Sequence, residues 1–380
     1  MPSMPTNALA RRCARAGFLA LVLTVLSCAA SAADYTLERV VLVSRHGVRA
    51  PTDSPKLVEY TRSRTWPKWP VKDSFLTLRG KMLASRMGEY YAMEFSARGL
   101  LPAGGPPPVR DVYVWADLDQ RTRETGAALL EGIFGCQDSC PDAGSDYGDD
   151  DPLFHPVRGG TCILDPGAAK KAVLEQAGGS LEKALEPYRG VVREIGDVLD
   201  CCAPRLCDPQ RLDCSLENLP SAIKEDKKKG AISLSGPIAV GSTASEVFLL
   251  EYAQAMSDVA WDPAATPEKI NRLLGLHELQ FRLMQRTPYI AKRQGSALTR
   301  QVLETLRQSA EKKSDAMRPV PAEAKLVIYV GHDTNLANIA GLLGIDWAFP
   351  SGLGDKTPPA GAMVFELLRD AAGDRSEEHV

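Results

Sequence analysis

The sequence predicts an α/β fold: a mostly parallel sheet flanked by helices, with an inserted, mainly helical subdomain. Three short β-branched apolar runs end abruptly in polar residues, as buried parallel strands do. Helical patterns alternate with them. The middle of the chain carries helical periodicity and few strand signals.

The first run, Arg39 to Ser44, leads into Ser44-Arg45-His46-Gly47-Val48-Arg49-Ala50-Pro51-Thr52. Leu78 to Phe95 then reads as an amphipathic helix whose stripe is Leu83, Met87, Tyr91 and Phe95 at four-residue spacing. The second run, Val109 to Trp115, passes into Ala116-Asp117-Leu118-Asp119-Gln120-Arg121-Thr122 and a helix over Thr122 to Ile133. A polar stretch, Asp138 to Asp151, reads as a solvated loop. Its acidic run Asp149-Asp150-Asp151 admits a calcium site as the lesser reading. From Ala168 to Gln285 the pattern is helical, with Glu246 to Met256 and Ile270 to Gln285 as its clearest segments. The third run, Lys325 to Val330, ends in Gly331-His332-Asp333-Thr334-Asn335 and a helix over Thr334 to Leu343. The expected divisions are a leader at 1–33, an α/β part at 34–165, the helical insertion at 166–285 and a second α/β part at 286–380.

The leader has basic Arg11, Arg12 and Arg15, the apolar run Ala16 to Leu26, and the small-residue pattern Ala30-Ser31-Ala32, which together read as an export signal cleaved near Ala33 or Asp34. Val25-Leu26-Ser27-Cys28 offers a lesser alternative, a lipid anchor on Cys28. No later segment approaches the roughly 20 apolar residues of a membrane span. The expected compartment is the periplasm, and the expected protein is a soluble monomer. Seven of the nine cysteines remain after the leader, and in an oxidising compartment they point to disulfides before a thiolate metal site, with Cys207–Cys214 the favoured pair. An odd count leaves one thiol over.

Formal charge is −3; without the three leader arginines, 42 basic residues face 48 acidic ones, a net of −6. That excludes a global basic field for nucleic acid. An anionic substrate would have to be held by a local arginine cluster, and such a cluster is present. In a parallel sheet, ligands lie beyond the carboxyl ends of the strands, where helix N-termini point. The three strand ends deliver Arg45, His46, Arg49, Arg121, His332 and Asp333 to that edge. Guanidinium forks match phosphate oxygens, and a neutral imidazole between them can attack phosphorus. Gly47 would let the backbone approach a ligand closely. Singly, a histidine after a strand is more often structural; three strand ends with the same endowment are not.

These motifs resemble those of the histidine acid phosphatases. Arg45-His46-Gly47-Val48-Arg49-Ala50-Pro51 matches the signature heptapeptide, and Gly331-His332-Asp333-Thr334-Asn335 matches the second motif in its bacterial phytase form. The likeness runs from about Thr36 to Leu368. It implies a metal-independent and cofactor-free acid phosphatase acting on small phosphorylated substrates, with His46 as nucleophile and Arg45, Arg49, Arg121 and His332 as the phosphoryl clamp. Asp333 would be the proton donor, and Thr52 and Glu246 would contact substrate. Three guanidinium groups can neutralise the equatorial oxygens without a metal. A protonated Asp333 implies an acid optimum.

The resemblance departs in two places. Asp53 stands where related phytases often carry a basic residue, and the family generally continues past Val380 with further strands and cysteines, leaving Cys162 as a candidate for a lost partner. Three functions follow in order of expectation: a phytase-like enzyme on inositol phosphates, a glucose-1-phosphatase or general sugar-phosphate phosphatase, and a non-catalytic phosphate-ligand binding protein.

Overall fold

The computed structural model describes residues 35–136, 139–145, 148–206, 214–311, 316–348, 356–370 and 375–379, within one unit spanning Tyr35–Val380. The leader and Cys207 lie outside the described residues. In chain order the main elements are β1 (Thr36–Arg45), α1 (Ser54–Leu57), α2 (Leu78–Ala97), β2 (Val112–Ala116), α3 (Gln120–Phe134), β3 (Gly144–Ser145), α4 (Pro166–Gln176), α5 (Leu181–Leu185) and α6 (Arg189–Leu199). The hairpin β4 (Ala222–Asp226) and β5 (Ala231–Ser235) leads to α7 (Pro237–Gln254), α8 (Pro267–Leu273), α9 (Gly275–Met284) and α10 (Pro288–Glu311). The chain closes with β6 (Leu326–Gly331), α11 (Asp333–Leu343), β7 (Ala362–Arg369) and β8 (Arg375–His379).

The six-stranded sheet has the order β3-β2-β6-β1-β7-β8. Four strands are parallel, and β7 and β8 are added antiparallel on one edge. The expected α/β sheet is therefore present, with a mixed edge. Alternation along β1 explains its two buried faces. Val40 and Leu42 meet Tyr91 and Phe95 of α2 and Leu129 and Leu130 of α3. Val41 and Val43 meet Leu298 and Val302 of α10 and Leu336 and Ile339 of α11. A third core joins α4 to α9, with Val192, Ile195, Leu199, Phe248, Leu276 and Leu279 at its centre.

Several expectations are corrected. The buried stripe of α2 is Gly80, Ala84, Gly88, Tyr91 and Phe95, while Leu83 is 39% exposed. Glycine is not an apolar side chain, yet here it is what packs: a Cβ on Gly88 would lie 2.2 Å from the Leu129 carbonyl oxygen, and one on Gly132 would lie 1.9 Å from that of Ser85. Close approach of α2 and α3 selects small residues at 80, 84 and 88, and of the expected stripe Tyr91 and Phe95 alone are buried. The segment Ile270 to Gln285 is two helices, and α7 begins nine residues before Glu246. Asp151 belongs to no solvated loop; it is wholly buried, accepting from Trp115 Nε1 at 2.8 Å and from the Leu153 N–H at 2.9 Å, with Arg318 at 3.2 Å. Cys136 bonds Cys140 and Cys201 bonds Cys202, while Cys162 is free. Cys214 is disulfide-bonded.

Candidate active site

Register brings the three motifs level. Arg45 pairs with Gly331 across β1 and β6, and Ala116 pairs with Val330 across β2 and β6. The ladder runs one residue further on each side, with the His46 N–H on the Gly331 carbonyl at 2.9 Å and the Asp117 N–H on that of Val330 at 2.9 Å. His46, Asp117 and His332 consequently leave the sheet at one edge, where α3 and α11 begin. The positive poles of these two helices therefore lie at this edge, which favours an anion there.

His46 is 2% exposed, and its Nδ1 donates to the Gly47 carbonyl at 2.8 Å. A carbonyl only accepts, so the neutral ring carries its proton on Nδ1 and keeps the lone pair on Nε2. Burial first, then Arg45, Arg49, His332 and Arg121, hold the His46 pKa well below the ordinary imidazole value. The ring stays neutral and nucleophilic in acid. Gly47 also has a packing role. Its N–H donates to Thr125 Oγ1 at 3.0 Å, and a Cβ there would stand 3.0 Å from the Gly80 carbonyl oxygen.

Arg45 is fully buried, donates to the Thr357 carbonyl and to Glu246 Oε1, and lies 3.0 Å from Asp333 Oδ2. Arg49 Nη2 is 3.6 Å from the same Glu246 oxygen. Arg121 Nη2 lies 3.3 Å from His332 Nδ1 and 2.7 Å from Asp119 Oδ2. The rings of His46 and His332 are edge to face with centroids 5.5 Å apart. Asp333, the first residue of α11, accepts the Thr334 N–H at 2.8 Å through Oδ1. Burial pushes its pKa up, but Arg45 foremost, then His277, Arg49 and His332, bring it below the usual carboxylate range. Thr52 and Asp53 line a cavity of about 450 Å³ with Arg49, Glu246, His277 and Asp333. All eight residues singled out from sequence meet at this site.

Three contributors lie outside that set. Asp117 Oδ2 accepts from His332 Nε2 at 2.6 Å and from His155 Nε2 at 2.7 Å. Those contacts hold its carboxyl far below the usual range against the opposing push of burial. His277, on α9, stands between Ser242 Oγ at 3.0 Å and Glu246 Oε2 at 3.7 Å. A usable signal existed: the chain has five histidines, and four of them converge here.

Comparisons with known proteins agree with this geometry. The family model described as histidine phosphatase superfamily (branch 2) matches residues 36–380. The chain is 37% identical over 345 residues to phytase AppA of Escherichia coli (strain K12), covering 90% of this chain and 79% of that protein. It is 27% identical over 352 residues to a glucose-1-phosphatase of Salmonella typhimurium, with 90% and 79% covered. Among solved structures, Hafnia alvei phytase in complex with tartrate superposes with a TM-score of 0.81 at 40% identity, covering 90% of this chain and 83% of that one.

Proposed function

The chain belongs to branch 2 of the histidine phosphatase superfamily and is a phosphoric monoester hydrolase, and from that premise we propose that it is a phytase-like acid phosphatase that removes phosphate from inositol phosphates through a phosphohistidine on His46. The observation that carries the reading is the fixed His46 tautomer. With Nδ1 tied to Gly47, Nε2 is the free lone pair among Arg45, Arg49, Arg121 and His332.

Nε2 attacks phosphorus as the bond to the leaving oxygen breaks, and Asp333 gives that oxygen its proton. Water then attacks the phosphorus of the phosphohistidine, the P–N bond breaks, and the Asp333 carboxylate takes the water's proton. His46 returns neutral. The arginines meet charge on the equatorial oxygens. Asp333 is ionised in the free site, so it needs both acid and the bound phosphoryl charge, which offsets Arg45 and Arg49, to become a donor.

The preference for inositol phosphates is supported by the 37% and 40% identities to phytases. Asp53 supports the second reading, a sugar-phosphate phosphatase, because it places a carboxylate on the cavity wall; it also caps α1, accepting the Lys56 N–H at 3.2 Å. Binding without turnover does not stand beside the family assignment. Rates on phytate, glucose 1-phosphate and an aryl phosphate at several acidic pH values separate the two substrates. Rapid quench with labelled substrate should trap phosphate on wild type and none on His46→Ala. Retention of label on His46→Ala would overturn the nucleophile assignment. The reading includes export to the periplasm by the 1–33 leader, with no candidate membrane span among the described residues.

A further inference from the structure

One oxygen, Asp117 Oδ2, receives two imidazoles, His332 Nε2 at 2.6 Å and His155 Nε2 at 2.7 Å, while Oδ1 is buried without a hydrogen-bond partner. A carboxylate only accepts, so both Nε2 atoms carry protons. A neutral His332 therefore has no proton on Nδ1, whose lone pair accepts from Arg121 Nη2 at 3.3 Å, and as the cap of α11 its side chain also takes the Asn335 N–H. That lone pair repels a phosphoryl oxygen. His332 can donate to phosphate only as the imidazolium, protonated on both nitrogens, and the charge that supports an imidazolium is that of Asp117.

We infer that His155 is a positioning residue for the phosphatase reaction: by competing with His332 for the single charge of Asp117, its proton governs how readily His332 presents a charged N–H to the phosphoryl group. The inference rests on the phosphatase reading and concerns a residue to which the mechanism assigns no step. Two imidazolium rings on one carboxylate, with centroids 5.3 Å apart, oppose each other. The arrangement is built in. Asn335 accepts the His332 N–H at 2.9 Å and donates to the Phe154 carbonyl at 2.8 Å, locking the two histidine-bearing segments together. The His155 N–H is held by the Asp151 carbonyl at 2.9 Å.

His155 also has its own route to protons. Its side chain is 19% exposed and lines a cavity of about 200 Å³. The groups facing that cavity from α11, α9, α10 and β5 include Thr334, Asn335, Asn338, Gln285, Gln294 and Ile232, and none is charged. The charged groups that face the pair are Asp117 from the end of β2, Asp119 at 3.4 Å from His332 Nε2, and Arg121 from α3. Burial, Arg121 and His155 together outweigh Asp117 and lower the His332 pKa. Removal of the rival should raise it.

The test is His155→Gln, which keeps an N–H donor toward Asp117 and cannot be charged, with His155→Asn as a second variant. The alkaline limb of kcat/KM on an aryl phosphate should move up by about one pH unit in both, with the acid plateau within about twofold of wild type. Calorimetry with inorganic sulfate, which brings no titrating proton of its own, should show wild type taking up protons from the buffer at neutral pH and the variants taking up fewer. Coincident limbs, a uniform fall at every pH, or equal proton counts would overturn the inference. Sulfate binding needs no turnover, so an inactive wild type would overturn the phosphatase reading alone, and calorimetry would still decide the role of His155.

Discussion

Asp333 at the sheet edge and Glu251 in the helical core are both buried carboxyls, 9% and 1% exposed, and they end in opposite states. Glu251 accepts a single backbone N–H, from Ala260 at 2.8 Å, and burial pushes its pKa up to about 7. Asp333 feels the same push, but Arg45 and its neighbours reverse it. Burial sets the cost of a charge, and the neighbours decide whether the charge is kept. Glu246 and Glu251 lie on one helix, α7, five residues apart, with Glu246 against Arg45 and Arg49 and Glu251 turned into the apolar core. A single turn and a half of helix crosses from one regime to the other.

The sharpest way to break the contrast is to give the sheet edge the conditions of the core. Arg45→Met leaves Glu246 and Asp333 buried beside each other with Arg49 and His277 as the remaining partners. Loss of one partner from a buried charge cluster costs roughly 3–5 kcal/mol. Denaturant midpoints should show that loss at pH 7 and a partial recovery at pH 4, where Asp333, without Arg45 to hold its pKa down, can protonate. Equal loss at both pH values would mean that Arg45 contributes packing and not charge.

Asp333→Asn tests the chemistry of the same edge. General acid help is worth roughly 10²–10⁴-fold. The variant should lose about that much in kcat on alkyl phosphates and far less on an aryl phosphate, whose leaving oxygen departs without a proton. A loss that ignores the leaving group would remove Asp333 from the donor role.

The sheet edge was also the more legible region. β1 and β6 are buried on both faces and β2 on one, with Tyr113 and Trp115 half-buried on the other, so their apolar runs are continuous, and each candidate motif follows its strand directly in the chain. The order of the strands is what tertiary structure adds. His155 and His277 come from a loop and from α9, and nothing adjacent in sequence links them to His46; the link is the shared carboxylate, visible only once Asp117 and Glu246 are placed. The α2 stripe held at Tyr91 and Phe95 and failed at Leu83 and Met87, because glycines at a helix–helix contact carry no hydropathy. The β4–β5 hairpin escaped notice because its alternation is short and its strands, such as Ile223-Lys224-Glu225-Asp226, are half-buried at best. The long helix α10 and the antiparallel strand β7 likewise extend beyond the elements that local patterning marks.

The smallest effect belongs to the core. A carboxyl raised from 4.5 to about 7 on folding leaves stability intact below its unfolded value and removes it as pH rises through the folded one, by up to about 3 kcal/mol at roughly 1.4 kcal/mol per unit. Glu251→Gln keeps an oxygen for the Ala260 N–H and has no charge to gain. The two proteins should unfold at the same denaturant concentration at pH 4. The variant should be the more stable at pH 8, with the gap opening between about 4.5 and 7. A gap that is flat with pH would place an unseen cation or water beside Glu251 and remove the contrast with Asp333. A gap that opens as described would mean that burial alone governs Glu251, and that the guanidinium neighbours are what set Asp333 apart.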